Sequence, residues 1–140
     1  MRKTLKFLDY VATHPDAILT FQASNMVLNV HSDASYLTEL KVRSRAEGHF
    51  FLSKSKENAE NNGAILNIAK IIKSVVSSVA EAEIGALFIN TRQAIPARRT
   101  LEEMGHKQPP TPIQTDNTTA LGFVTKTLNP KATKSTDMKY

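Results

Sequence analysis

Three acidic side chains sit where carboxylates from separate parts of the chain could act on one cation: Asp33, Glu83 and Asp116. In Met26-Val27-Leu28-Asn29-Val30-His31, strand alternation puts Met26, Leu28 and Val30 on one face and Val27, Asn29, His31 and Asp33 on the other. Asp33 is expected to close that strand on its more polar side. Asp116 follows a short strand, Pro112 to Thr115, where the chain turns into a helix, and open sheets gather ligands at such strand ends. Glu83 is the most informative. At about 100° per residue it shares a helical face with Val76, Val79, Ala80, Ala86, Leu87, Asn90, Ala94 and Leu101. A carboxylate in an apolar stripe needs a cation, an ion-pair partner or a hydrogen-bond network, because an uncompensated buried charge is costly. Glu81, on the opposite side of the same helix near Arg92, serves as the contrast and is expected to be solvated.

Oxygen-only clusters suit hard cations such as Mg²⁺ or Mn²⁺. Two such ions about 4 Å apart can activate a water and stabilise the leaving oxygen in phosphodiester cleavage. Other chemistries are poorly served. There is no cysteine, which excludes disulfides, thiolate zinc sites and cysteine nucleophiles. No Ser/His/Asp order with supporting glycine turns is present, and no phosphate-cradling loop can be built from the five glycines. Each acid also has an ordinary alternative. Asp116 could cap the helix that begins after it, and Glu83 could pair with an arginine.

The elements that must carry these acids read as β-β-β-α-β-α. Before them, residues 1–13 suggest a short helix stopped by His14-Pro15. Ile18, Leu19 and Phe21 form one β-like run, and Met26 to His31 a second. A charged segment, Lys41 to Glu47, separates that strand from Gly48-His49-Phe50-Phe51-Leu52. Asn61-Asn62-Gly63, a hairpin signal, precedes Ala64-Ile65-Leu66-Asn67-Ile68. A helix is expected from about Ser78 to Met104, with Gly105 as its C-cap and Pro96 kinking or splitting it. Another runs from Asn117 to about Leu128 before Asn129-Pro130. Three antiparallel strands, then a helical crossover to a parallel strand, give an α/β mixed sheet with helices packed on it.

At 140 residues and 41% hydrophobic content the chain fits one domain. No apolar run approaches the ~20 residues that span a bilayer, and Met-Arg-Lys-Thr-Leu-Lys lacks a following apolar signal region. The expectation is a soluble, non-secreted protein without a membrane partner. The formal charge of +5 favours an anionic partner. Lys41, Arg43 and Arg45, or Lys126, Lys131, Lys134 and Lys139, could follow nucleic-acid phosphates.

Taken together, several segments resemble the ribonuclease H domain of copia-type LTR retrotransposon polyproteins. They are His31-Ser32-Asp33-Ala34-Ser35-Tyr36, Gly48 to Leu52, Ser77 to Leu87, Pro112 to Ala120, and Thr133 to Tyr140. The resemblance covers about residues 17–140 as a ribonuclease H-like domain, with 1–16 similar to the helical connection from a reverse transcriptase. It implies cleavage of the RNA strand of RNA·DNA hybrids with two Mg²⁺ ions, Mn²⁺ being an alternative. The implied catalytic and metal-binding acids are Asp33, Glu83, Asp116 and Asp137. Ser35, Asn117 and Lys134 are the implied substrate contacts, although Asn117 could equally cap a helix and Asp137 could be ordinary first-turn charge. Partners would be the hybrid and a reverse transcriptase domain of the same polyprotein, in the cytoplasm or in virus-like particles. Ser135 stands where many members carry a histidine, and the family's tryptophan near the third strand is replaced by Asn67-Ile68-Ala69-Lys70. The family's last helix continues beyond the position of Tyr140, so the chain reads as truncated at its C-terminus. The alternative expectation is a catalytically weak or dead relic that folds and binds nucleic acid. An integrase-type order, with two aspartates first and the glutamate last, does not fit.

Overall fold

A computed structural model describes residues 2–54 and 59–125. In chain order the elements are α1 (Arg2–Thr13), β1 (Val27–Glu39), β2 (Arg43–Ser53), β3 (Ala64–Ile71), α2 (Val79–Glu103), β4 (Ile113–Gln114) and α3 (Thr118–Val124). The four strands form one mixed sheet in the order β3-β2-β1-β4. β1, β2 and β3 are antiparallel neighbours, and β4 lies parallel to β1 after the α2 crossover. The expected α/β order is therefore present, with α1 ahead of it.

α2 lies against one face of the sheet. Leu28, Val30 and Phe50 from the strands meet Ala94 and Leu101 from the helix in one core cluster. Ala46 meets Ile72, Val76, Ala82 and Ala86 in another. This burial is what stabilises a helix and a sheet that each have one apolar face. Between the two clusters sits a polar junction. The fully buried Asn90 donates through Nδ2 to Ser32 Oγ and to the Glu47 carbonyl, both at 2.8 Å. Gly48 is required beneath it, since a Cβ there would lie 2.3 Å from Asn90 Oδ1. The junction ties α2 to β1 and β2 at one register.

Both ends of α2 are written locally. Ser78 is the N-cap, its Oγ accepting from the Glu81 amide at 3.1 Å. At the other end Gly105, with φ of +90°, makes a Schellman closure: its amide donates to the Glu102 carbonyl and the His106 amide to that of Leu101. Of the two outcomes expected at Pro96, a kink or a split, the split is absent: α2 runs through it as one helix. Pro96 is exposed, so water can satisfy the carbonyl one turn earlier that lacks an amide partner.

Several strand limits differ from the sequence reading. β1 continues past Asp33 to Glu39, with an irregularity between Ser35 and Glu39. Residues 43–47 belong to β2 rather than separating strands: Ser44 and Ala46 turn inward while Arg43, Arg45 and Glu47 turn outward. The turn between β1 and β2 carries Lys41 and Val42 at φ of 63° and 55°, both in the left-handed region. Ile18, Leu19 and Phe21 form no strand, because no neighbouring strand pairs with them. Their segment is tied down instead by Asn62, whose side chain accepts from the Gln22 amide and donates to the Gln22 carbonyl. Phe21 lies against Gly63, where a Cβ would stand 2.6 Å from the ring. The Asn-Gly step thus serves a close approach, and the connection between β2 and β3 is longer than a two-residue turn. Among the described residues no helix is long and apolar enough to cross a membrane.

Candidate metal centre

Three elements deliver one acid each to a common point. Asp33 stands on β1 opposite Glu47, Glu83 on the second turn of α2, and Asp116 two residues beyond β4. One carboxylate oxygen from each lies within 4.8 Å of the others. Asp33 and Asp116 are exposed, whereas Glu83 is only 3% exposed and its Oε2 has no hydrogen-bond partner. The Glu83 carboxyl is pushed up to about 7, by burial first, then by the charge of Asp33 and that of Asp116, partly offset by the Ala34 amide. Among the described residues no arginine or lysine forms an ion pair with Glu83. The structural ion-pair alternative for Glu83 is not what is seen.

Three carboxylates at this spacing repel one another and leave an acceptor atom buried without a donor. A divalent cation resolves both conditions, and an all-oxygen donor set fits a hard one. Asp116 is not the cap of α3. That role belongs to Asn117, whose Oδ1 accepts from the Ala120 amide at 2.9 Å. Asn117 therefore holds the chain direction just after Asp116.

The remaining expected residues fall in different places. Ser35 is on the same face as Asp33, one pleat further along β1, with its Oγ accepting from Thr38 Oγ1. Lys134 and Asp137 lie outside the described residues, as do Lys126, Lys131 and Lys139. Arg45 is engaged by Glu39 at 2.9 Å and donates to the Ala69 carbonyl. Glu81 corrects the sequence reading. It is 4% exposed rather than solvated, and its Oε2 accepts from both the amide and the hydroxyl of Ser77 at 2.6 Å. A helical wheel places side chains on a uniform cylinder, whereas an acid in the first turn folds back over the helix start. Ser77-Ser78-x-x-Glu81 carried that capping signal in the sequence.

His31 completes the surroundings. It lines, with Gln114 and Thr115, a cavity of about 320 Å³ bounded by Asp33 and Asp116. Its ring meets Phe51 edge-on at 5.1 Å, and its imidazole is held below the ordinary value by burial, then by His49, against a hydrogen bond from Gln114. Its place on the Asp33 face was readable from alternation, but its packing was not. Comparison with protein-family models, with curated proteins and with solved structures gives no match to this chain.

Proposed function

We propose that the protein is a metal-dependent nuclease of the ribonuclease H type that hydrolyses the RNA strand of RNA·DNA hybrids. The observation that carries this reading is the convergence of Asp33, Glu83 and Asp116 from a meander strand, a crossover helix and the end of a parallel strand. The choice of substrate rests on the motifs around these acids and on the basic net charge, which attracts a polyanion.

Asp33, Glu83 and Asp116 would hold the cations, with Asp137 as the proposed fourth ligand. Divalent ions bound there supply an activated water and neutralise charge on the departing oxygen. The chain's own contribution is placement. The Ala34 amide donates to Asp33 Oδ1 at 2.7 Å, the Asn90 junction fixes the height of α2 over β1, and Asn117 sets the chain path after Asp116. Glu83 must give up its proton as a cation enters. Mg²⁺ with Mn²⁺ as a substitute is the proposed pair, and a reverse transcriptase domain is the proposed neighbour.

The test is cleavage of an end-labelled hybrid in Mg²⁺ by the full chain and by Asp33→Asn. The expected result is RNA-strand cleavage that falls at least a hundredfold in the variant. Cleavage by the unaltered chain no greater than that by Asp33→Asn would overturn the reading, and binding without cleavage would leave the relic.

A further inference from the structure

At the end of the sheet away from β4, strand β3 presents its backbone to the outside. The Ile72 amide donates to the Ser44 carbonyl at 2.9 Å, which sets the phase of the ladder between β2 and β3. Backbone groups alternate in direction along such a ladder, so those of Leu66, Ile68 and Lys70 face β2, and those of Asn67, Ala69 and Ile71 face outward. Among the described residues no strand pairs with this edge. Arg45 Nη1 donates to the Ala69 carbonyl at 3.1 Å, which leaves that oxygen a second lone pair. Edges are commonly blunted by proline or by charge. β3 contains no proline, and its one charged residue, Lys70, sits on the α2 side.

On the α2 side this edge borders an open groove of about 460 Å³. Leu66, Ile68 and Ile89 form its apolar floor, and Lys70 from β3 and Arg92 from α2 stand on it as exposed cations. The Arg92 guanidinium lies 5.7 Å from the centre of the Phe88 ring, which restricts a side chain that otherwise has many rotamers. Among the described residues neither cation forms an ion pair, and no acid lines the groove. Lys70 is in register with Ala46 and Ala34 on the helix-covered face, whereas Asp33 lies on the other face. A ligand lying across the three acids therefore does not enter this groove.

We infer that β3 accepts an extended acidic segment of a partner polypeptide as a further strand, with alternate side chains of that segment seated in the groove. The inference is independent of the nuclease reading. The outward amides and carbonyls supply main-chain hydrogen bonds, and residues opposite Leu66 and Ile68 share their face of the sheet and land on the apolar floor. Flanking carboxylates would meet Lys70 and Arg92. Charge selects this occupant. A second copy would bring β3 itself, which carries a lysine and no acid, and would leave both cations without counter-charge. A nucleic acid would leave the outward amides without a strand to pair with and set the outward carbonyls against its phosphates.

The probe is an end-blocked, fluorescein-labelled peptide, Glu-Thr-Val-Thr-Val-Thr-Glu, whose glutamates and valines share one face of a strand. Fluorescence anisotropy with the full chain should show saturable binding. Lys70→Gln/Arg92→Gln should weaken it about tenfold. Arg99→Gln/Lys107→Gln removes two exposed charges elsewhere and should leave it in place, the variants being compared at equal thermal unfolding midpoints. N-methylation of the central threonine removes an amide that faces β3 and keeps every charge. With the unaltered chain it should also weaken binding about tenfold, and the unmethylated peptide should slow amide exchange at Asn67 and Ala69. Absence of saturable binding, or equal affinity of the methylated and unmethylated peptides, would overturn the inference whether or not the groove variants fold. So would equal affinity of the groove pair and the control pair. Displacement of the peptide by a short RNA·DNA hybrid would assign the groove to nucleic acid, and self-association that the peptide reverses would assign the edge to a second copy; either result overturns it.

Discussion

Replacing Glu83 with glutamine removes one charge while keeping the shape of the side chain, so its effects separate repulsion from packing. The Glu83 carboxyl rises from 4.5 to about 7 on folding. At ~1.4 kcal/mol per unit this rise corresponds to at most about 3.5 kcal/mol, and about half of that if water reaching the exposed Asp33 and Asp116 screens the pair repulsions. A carboxyl raised on folding costs nothing below its unfolded value, where it is protonated in both states. The cost grows as pH climbs from 4.5 and is complete above 7. In EDTA, Glu83→Gln should therefore be more stable than the unaltered chain by about 1.5–3.5 kcal/mol at pH 8 and nearly equal to it at pH 4.5. Adding Mg²⁺ at pH 8 should reverse the order, because only the carboxylate gains from the ion. Urea unfolding at the two pH values, with and without Mg²⁺, gives all four numbers. Equal stability of the two proteins at pH 8 in EDTA would refute the argument that Glu83 is a strained, uncompensated acid.

Two further outcomes follow from the packing. Gly48→Ala drives a methyl against Asn90 Oδ1 and should destabilise the protein by ~1–3 kcal/mol in urea unfolding. It should also weaken Mg²⁺ affinity by calorimetry, since the junction sets α2 over β1. Val42→Gly should raise stability by ~1 kcal/mol, because a β-branched residue in the left-handed region is strained and glycine is not. Its readout is the thermal midpoint.

Much of the site was legible because burial and charge conflict visibly at Glu83. An acid in an apolar stripe is anomalous from the sequence alone, and Asn90 is the same kind of anomaly on the same face. Asp33 was placed on its correct face because alternation needs no knowledge of partners. The strand's length was not, since Ser35 to Glu39 carry little apolar pattern and extend only by pairing with β2. Ile18 to Phe21 erred in the opposite sense. They have strand-forming residues but no strand beside them, and propensity without a partner makes no sheet. Glu81 was misjudged because position around a helix was considered without position along it.

β4 pairs with β1 through only two residue pairs, Val30 with Ile113 and His31 with Gln114. Just before it the edge of β1 is occupied by a side chain: the Leu28 amide donates to Gln108 Oε1, and Gln108 Nε2 donates to the Met26 carbonyl. Asp116 thus hangs from a short seam, while Asp33 stands on the central strand β1 and Glu83 on the packed helix α2. Such a seam opens by local unfolding at a lower free energy than the sheet as a whole, so its amides exchange with solvent earlier. A cation held by Asp33, Glu83 and Asp116 would then fasten the seam. Its apparent affinity would be the intrinsic affinity multiplied by the fraction of molecules in which the seam is closed, and amide exchange at Gln114 and the chain around it would report on how full the site is.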